Sequence, residues 1–453
     1  FHIDNCYYIP AITVRGYRVK THKVSNTAFR GFGGPQGMLA IENIVEQIAT
    51  ATGIDPLTVR QKNFYSESRQ RNTTHYGQRI EQHIIQPLVA RLSKRSDYHA
   101  RRNQIKEYNA ENNILKRGIS LTPVKFGISF TVQYLNQAGA LIHIYTDGSV
   151  QLNHGGTEMG QGLHTKMISI VADAFDLPIS NIKVSATDTS KVPNTSATAA
   201  SSGSDLNGMA VLNAVNILKT RLAEVVCELY GADKKTIEYK SGYVVSNKGK
   251  LKFRDLAKAA YEKRVQLSVA GFYKTPKIHW DRESGRGRPF YYFSYGAAVA
   301  EVTVDKFTGE SIVDRVDILH DVGESLNTHI DLGQIEGGFF QGMGWLTNEE
   351  LWWNNKGQLK THAPSTYKIP LASDRPRVFN IELAKWSKNK ERTIKRSKAV
   401  GEPPLMLAIS VHEALLMAAS YSNTNKVRPT LNSPATPERI LECMESVRTK
   451  SLE

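Results

Sequence analysis

Cysteine is scarce in this sequence. Cys6, Cys227 and Cys443 are the only three in 453 residues, and no two share a Cys-x-x-Cys spacing. Three isolated thiols give no disulfide framework, which points to a reducing, cytoplasmic location. Nor can they ligate an iron–sulfur cluster by themselves. No apolar run reaches 18 residues and no signal peptide is recognisable, so no membrane association is expected. His-Glu-x-x-His and His-x-His are absent, and His2, Asp4, His154, His164 and His362 are too scattered for a side-chain metal site. No Gly-Lys-Ser/Thr closes a phosphate loop, and no Gly-x-Ser-x-Gly elbow marks a serine hydrolase. An initial methionine is also missing: the chain begins Phe1-His2-Ile3, so it is expected to be a piece of something longer.

Charge is present in excess but not in a pattern that selects nucleic acid. Lysine and arginine number 58 against 43 acids, a net charge of +15. A nucleic-acid binder gathers such charge into a stripe with aromatic residues. Here it is spread, densest at Lys385 to Lys398 and Arg91 to Arg102, which reads as solvated surface or a docking face for an acidic partner subunit.

Two blocks are expected, residues 1–95 and 96–453. In the first, Arg30-Gly31-Phe32-Gly33-Gly34-Pro35-Gln36-Gly37 precedes a helix with Met38, Ile41, Val45 and Ile48 on one face, ended by Gly53. A second helix starts at Pro56 with Asp55 as its cap. In the second block, Ala140 to Leu152 reads as a hairpin turning at Asp147-Gly148. Further on come a helix from Leu163, a short strand from Ile182 to Ser185, a long helix from Met209 to Tyr230, and strands at Tyr292–Val304 and Ser311–His320. Residues 403–420 are apolar almost all round, as a buried helix is. Helices and strands mix without a βαβ rhythm, so the expected class is α+β.

Four glycine-rich segments stand out: 30–37, 155–162, 196–204 and 337–344. Any one of them can be a tight turn. Together they suggest a large polar, phosphate-bearing cofactor cradled by main-chain N–H groups. One acid draws attention beside them. Glu402 lies in Lys398-Ala399-Val400-Gly401-Glu402-Pro403-Pro404, ahead of the apolar run 405–409. Pro403 is expected to bias Glu402 away from the α region. One-sided desolvation would make it a stronger base. The alternative is an acid at a helix start, favoured only by the macrodipole.

Four segments, in order along the chain, closely resemble the molybdenum-binding part of the xanthine dehydrogenase family of molybdenum hydroxylases. They are 28–36 (Ala-Phe-Arg-Gly-Phe-Gly-Gly-Pro-Gln), 126–131 (Phe-Gly-Ile-Ser-Phe-Thr), 156–162 (Gly-Thr-Glu-Met-Gly-Gln-Gly) and 398–404. The Gly-Gly-Pro and Glu-Pro-Pro runs are similar to the xanthine branch, and the compact style to a bacterial large subunit. The resemblance implies molybdenum carried on a molybdopterin dithiolene, so metal ligands come from the cofactor and none from side chains. It implies Glu402 as the general base for attack by a metal hydroxyl on an electron-poor purine carbon. Electrons would then pass to 2Fe-2S clusters and FAD on partner domains or subunits, and on to NAD. Phe32 and Phe130 match the two rings that clamp the purine, and Thr131 matches a substrate-contacting hydroxyl. Arg30, Gln161 and Ala200 match cofactor-lining positions, although Arg30 could instead pair with a structural carboxylate. The family also carries an upstream half of the site, with a second glutamate and a purine-orienting arginine, which this chain does not contain. A site incomplete without that half, in an oligomer, is therefore expected. Action on another N-heterocycle or an aldehyde, or a purely structural fragment, remain alternatives.

Overall fold

The computed structural model describes residues 1–192, 194–421 and 428–449. In chain order the elements are α1 (Gly34–Thr52), α2 (Pro56–Asn63), α3 (Ile85–Arg95), α4 (Tyr98–Glu111), β1 (Leu115–Ile128), β2 (Gln137–Ile144), β3 (Val150–His154), α5 (Leu163–Phe175), β4 (Ile182–Val184) and α6 (Gly203–Tyr230). The rest are β5 (Glu238–Lys240), β6 (Tyr243–Ser246), β7 (Gly249–Lys252), α7 (Phe253–Glu262), β8 (Ser268–Lys274), β9 (His279–Asp281), β10 (Arg286–Arg288), β11 (Tyr292–Asp305), β12 (Ser311–His320), α8 (Thr328–Thr347), β13 (Val378–Leu383), α9 (Ile409–Ala419) and α10 (Pro437–Thr449). The mixture is α+β, as expected.

The central sheet runs β1-β11-β12-β13. β1 and β11 are antiparallel over their whole length, from Leu115 opposite Asp305 to Ile128 opposite Tyr292. From Tyr292 to Ala300 β11 is buried on both faces, which is why that part of its sequence is largely apolar without alternation; from Glu301 to Asp305 it alternates. Ala298, Ala300, Val302 and Val304 join the core formed with residues 405–419. Phe293, Tyr295, Ala297 and Val299 join the core formed with α1 to α4. Period-two geometry alone sorts them. Gly118 of β1 lets α9 lie directly on the sheet, since a Cβ there would stand 1.9 Å from the Ala414 carbonyl oxygen. A second sheet, β4-β3-β2-β8, packs its Ile142, Ile144, Val150 and Leu152 against α5 and α6.

Most local expectations are met. Asp55 caps α2 by accepting from Leu57 N at 3.0 Å, and Gly53 ends α1 at φ 69°. Four differ. Ile48 is exposed and Ala49 takes its place on the buried face of α1. α6 begins at Gly203, six residues before Met209, so 203–208 is helix rather than loop. The segment 337–344, expected to open or interrupt a helical stretch, lies inside one unbroken helix, α8. Its glycines serve contact rather than flexibility. A Cβ on Gly342 would sit 2.1 Å from the Leu405 carbonyl oxygen, and one on Gly338 would sit 2.8 Å from Pro404 Cβ. The apolar stretch after Glu402 is a 3-10 turn, Pro403–Ala408, followed by α9, rather than one helix. The basic patches are largely solvated, as expected, with Lys385, Lys388, Lys390, Arg392, Lys395 and Arg396 exposed in one and Arg91, Lys94 and Arg95 in the other; a few residues are exceptions. Arg101 pairs with Glu301 and Asp317, and Lys398 is fully buried against Asp321.

Candidate active site

Three segments distant in sequence converge at Glu402. The first is the turn before α1. Phe32 N–H bonds Phe29 O and Gly34 N–H bonds Gly31 O, both at 2.9 Å. Three successive positive φ angles (98°, 49°, 89° at Gly31, Phe32 and Gly33) make this hairpin bend. For Phe32 that conformation is strained, and its ring is left 79% exposed at the cavity wall. A large apolar ring held in solvent by a strained backbone suggests a ligand contact.

The second segment precedes α6. Ala200 (φ 56°) and Ser201 (φ 53°) are consecutive left-handed residues, another strained pair. Ser201 Oγ donates to Glu402 Oε2 at 2.6 Å and accepts from Glu402 N–H at 2.8 Å. Gly31 N–H donates to Oε1 at 3.2 Å.

The third segment carries Glu402 itself. Its backbone is at φ −98°, ψ −40°, in the α region that a following proline disfavours. The expected bias is overcome locally. Its N–H is held by Ser201, and its carbonyl accepts from Leu405 N–H at 3.1 Å. Glu402 does stand at the N-cap of the turn that follows, as the helix-start alternative expects, but its side chain makes no capping bond there and its oxygens are held by Ser201 and Gly31 instead. Burial pushes the carboxyl above its ordinary range, opposed by the Ser201 hydroxyl, the Gly31 N–H and the Arg30 charge. Arg30 makes no ion pair among the described residues. It donates instead to Gly401 O at 2.5 Å, to Gln341 Oε1 at 3.3 Å and to Gln334 O at 3.3 Å. Burial lowers its pKa, and Glu402 opposes that shift.

These groups open onto a cavity of about 800 Å³. Arg30, Phe32, Gln161, Ala200 and Glu402 all line it. Phe130 and Thr131 do not. They follow β1, where Asn136 pins the backbone by accepting from Phe130 N–H and donating to Phe130 O, each at 2.9 Å. The glycine loop 155–162 also departs from expectation, because five of its main-chain N–H groups, those of Gly156, Thr157, Met159, Gly160 and Gly162, are already bonded within the protein. Glu158 accepts from Gly160, Gly162 and His164 N–H, and Gln161 Oε1 accepts from Met159 N–H. Burial would raise the Glu158 pKa, but the three main-chain bonds outweigh it and bring it below the usual value.

Several lining residues had no distinctive sequence signal. Ser201 sits in a run of small residues, and only the fold brings it to Glu402. Asp205, in the first turn of α6, accepts from Tyr292 OH at 2.6 Å. Burial pushes its pKa up to about 7 despite the Tyr292 bond and nearby Lys166. Lys166 pairs with Asp331 at 2.6 Å. His154 and His164 do meet in space, Nε2 to Nδ1 at 2.9 Å, yet no group of three or more potential side-chain metal ligands occurs among the described residues. No described helix is long and apolar enough to cross a membrane.

The cavity suits a large polar anion. The start of α6 forms part of its wall, and there the cap Ser202 turns its hydroxyl back to Ala199 O, so that no side chain caps the first N–H groups. Gly203 and Ser204 line the cavity, as do Gln161, Gln341 and Arg30. The family profile described as "Molybdopterin cofactor-binding domain" matches residues 91–376, and a second profile of the same description matches residues 1–64. The chain belongs to the molybdopterin cofactor-binding domain family. It is 48% identical to xanthine dehydrogenase/oxidase of Felis catus over 97% of its length, and 45% identical to that of Gallus gallus over 99%. Xanthine dehydrogenase of Dictyostelium discoideum is 45% identical over 98%. In each case the chain spans 32% of the relative's length, about a third. The expectation of a bacterial type draws no support from these three. Among solved structures, the molybdopterin-binding fold is shared with CO dehydrogenase from Oligotropha carboxidovorans (TM-score 0.80, 18% identity, 93% of this chain and 52% of that one). Quinoline 2-oxidoreductase from Pseudomonas putida 86 matches equally well (TM-score 0.80, 22% identity, 93% and 53%).

Proposed function

We propose that this chain is the molybdopterin-bearing part of a xanthine dehydrogenase, hydroxylating hypoxanthine and xanthine to urate with water as the oxygen source. The observation that carries this reading is the state of Glu402: half-buried, held at both oxygens by Ser201 and Gly31, and raised in pKa beside the cavity of a molybdopterin-binding domain. Residues 1–95 serve as the latter part of one cofactor domain and residues 96–453 as a second. Arg30, Gln161 and Ala200 hold the cofactor. When bound, molybdenum on molybdopterin supplies a two-electron acceptor at the substrate carbon.

This chain's residues contribute placement and proton transfer. Each Glu402 oxygen already accepts one bond, which leaves a lone pair to take the proton of the oxygen nucleophile. The Ser201 hydroxyl and Gly31 N–H favour the ionised form that can do so. Phe32 offers a ring to a planar purine, whose preferred contacts are offset or edge-on. Phe130 and Thr131 provide the second ring and a hydroxyl only in the assembled subunit. The rest of that subunit, including an upstream half, completes the site. 2Fe-2S and FAD groups on partner domains or subunits carry electrons to NAD in a cytoplasmic oligomer.

Replacement of Glu402 by Gln in the complete enzyme tests the reading. Molybdopterin content stays at the wild-type level while xanthine turnover falls by ~100-fold or more. Wild-type turnover removes the base assignment. Parallel rates with xanthine, hypoxanthine, nicotinate and benzaldehyde decide the substrate, and a preference for either of the last two moves it outside purines.

A further inference from the structure

Residues 10 to 28 lie between two firmly bonded segments and share none of their bonding. Before them, Tyr8 N–H bonds Asn63 O at 2.8 Å; after them comes the Phe29–Gly34 turn. Among the described residues, no main-chain N–H or C=O of 10–28 has a main-chain partner. Every residue from Thr13 to Ala28 is exposed. The composition is wrong for a free loop. Ile12-Thr13-Val14-Arg15-Gly16-Tyr17-Arg18-Val19-Lys20-Thr21 is rich in β-branched and aromatic residues, with a single glycine and no proline. Tyr17 is 82% and Val19 76% exposed. An unpaired strand of this kind is a template for pairing, and proteins ordinarily cover or blunt such an edge.

Charge and position narrow the occupant. From Asn5 to Ile41 there is no acid, while Arg15, Arg18, Lys20 and Lys23 are basic. The segment runs straight into Ala28, Phe29, Arg30 and Phe32, which line the cavity. The relatives carry about twice as much further polypeptide, since the chain spans only 32% of them.

We propose that residues 12–21 are a β-strand that pairs with an extended, acid-bearing segment from the remainder of the same subunit. This rests on the reading of the chain as part of a longer subunit. Main-chain ladder bonds supply the affinity, and the cations fix the register against carboxylates. The pairing thereby also holds the Phe29–Gly34 turn against Glu402.

The test co-expresses the chain with the remainder of the large subunit as a separate polypeptide. Amide hydrogen exchange at Thr13–Thr21 is fast in the chain alone and slows by ~100-fold or more in the complex. Val19→Pro removes a ladder donor and weakens association by ~10-fold, without changing the unfolding midpoint of the chain itself. Val19→Ala keeps the donor and most of the association. Fast exchange in a stable complex overturns the proposal. So does concentration-dependent protection in the chain alone, which makes the occupant a second copy. Xanthine turnover and molybdenum content of the same complex are read separately: a protected strand in a complex without either defeats the functional reading and leaves the pairing standing.

Discussion

Ser201 Oγ donates to Glu402 Oε2 at 2.6 Å and accepts Glu402 N–H at 2.8 Å, so one hydroxyl fixes both the carboxylate and the backbone of the same residue. The second contact helps hold Glu402 in an α conformation ahead of proline. The first stabilises its anion against the burial that raises its pKa. Ser201→Ala removes both. In the complete enzyme the acidic limb of the kcat/KM profile moves up by ~1 pH unit, because a hydrogen bond to a charged group contributes about 1.5 kcal/mol or more. A purely structural role leaves the limb where it is and lowers turnover at all pH values alike.

The contact between α8 and the Pro403–Ala408 turn sets where Glu402 sits. Gly342 has no room for a side chain, with the Leu405 carbonyl oxygen 2.1 Å from an added Cβ. Gly342→Ala therefore forces the turn and helix apart and destabilises the chain by roughly 2 kcal/mol or more. Gly337→Ala, five residues earlier on the same helix, meets nothing within 4 Å and is expected to stabilise slightly. Urea unfolding of the two variants reads the difference.

Those two glycines also show what the sequence could and could not convey. Glycine richness at 337–344 marked a place where backbone approaches something. Whether that something was a ligand or another segment depended on Pro404 and Leu405, more than sixty positions away. The same limit applies to Ser201, which only the meeting of 198–205 with 397–404 distinguishes from its small neighbours. Local rules did well where the cause was local: Asp55 and Pro56 specify a capped helix, and Asp147-Gly148 specifies a hairpin. Glu402 was legible as an unusual acid because its neighbours restrict it. Its conformation was not, since a tertiary hydrogen bond overrode the proline. Phe130 and Thr131 were matched by motif alone, and the cavity does not include them.

Lys398 and Asp321 form a fully buried ion pair four residues before the proposed base. Lys398 N–H also bonds Val322 O at 2.7 Å, and Asp321 Oδ1 accepts from Gly323 N–H at 3.0 Å. Lys398→Met strands a buried carboxylate and costs about 3–5 kcal/mol. Adding Asp321→Leu removes the stranded charge and recovers a large part of the loss. A double-mutant cycle on the unfolding free energy measures this; equal instability of single and double variants shows instead that the lost packing dominates.

Asp205 gives a pH-dependent counterpart. Its pKa is raised to about 7 by burial, whereas in the unfolded chain it titrates near the ordinary aspartate value of about 4. Between those values the folded state binds the extra proton, so this group's contribution to stability falls as pH rises from ~4 to ~7 and is flat above. His154 and His320, lowered to about 4 by burial, act in the opposite direction over part of that window. Comparing wild type with Asp205→Asn cancels their effect. Asparagine cannot ionise and can still accept from Tyr292 OH, so the variant gains on wild type as pH rises, by at most ~1.4 kcal/mol per unit. Urea midpoints at pH 4.5 and 7.5 decide it: a gap between the two proteins that stays constant across that range means Asp205 remains ionised in the folded chain.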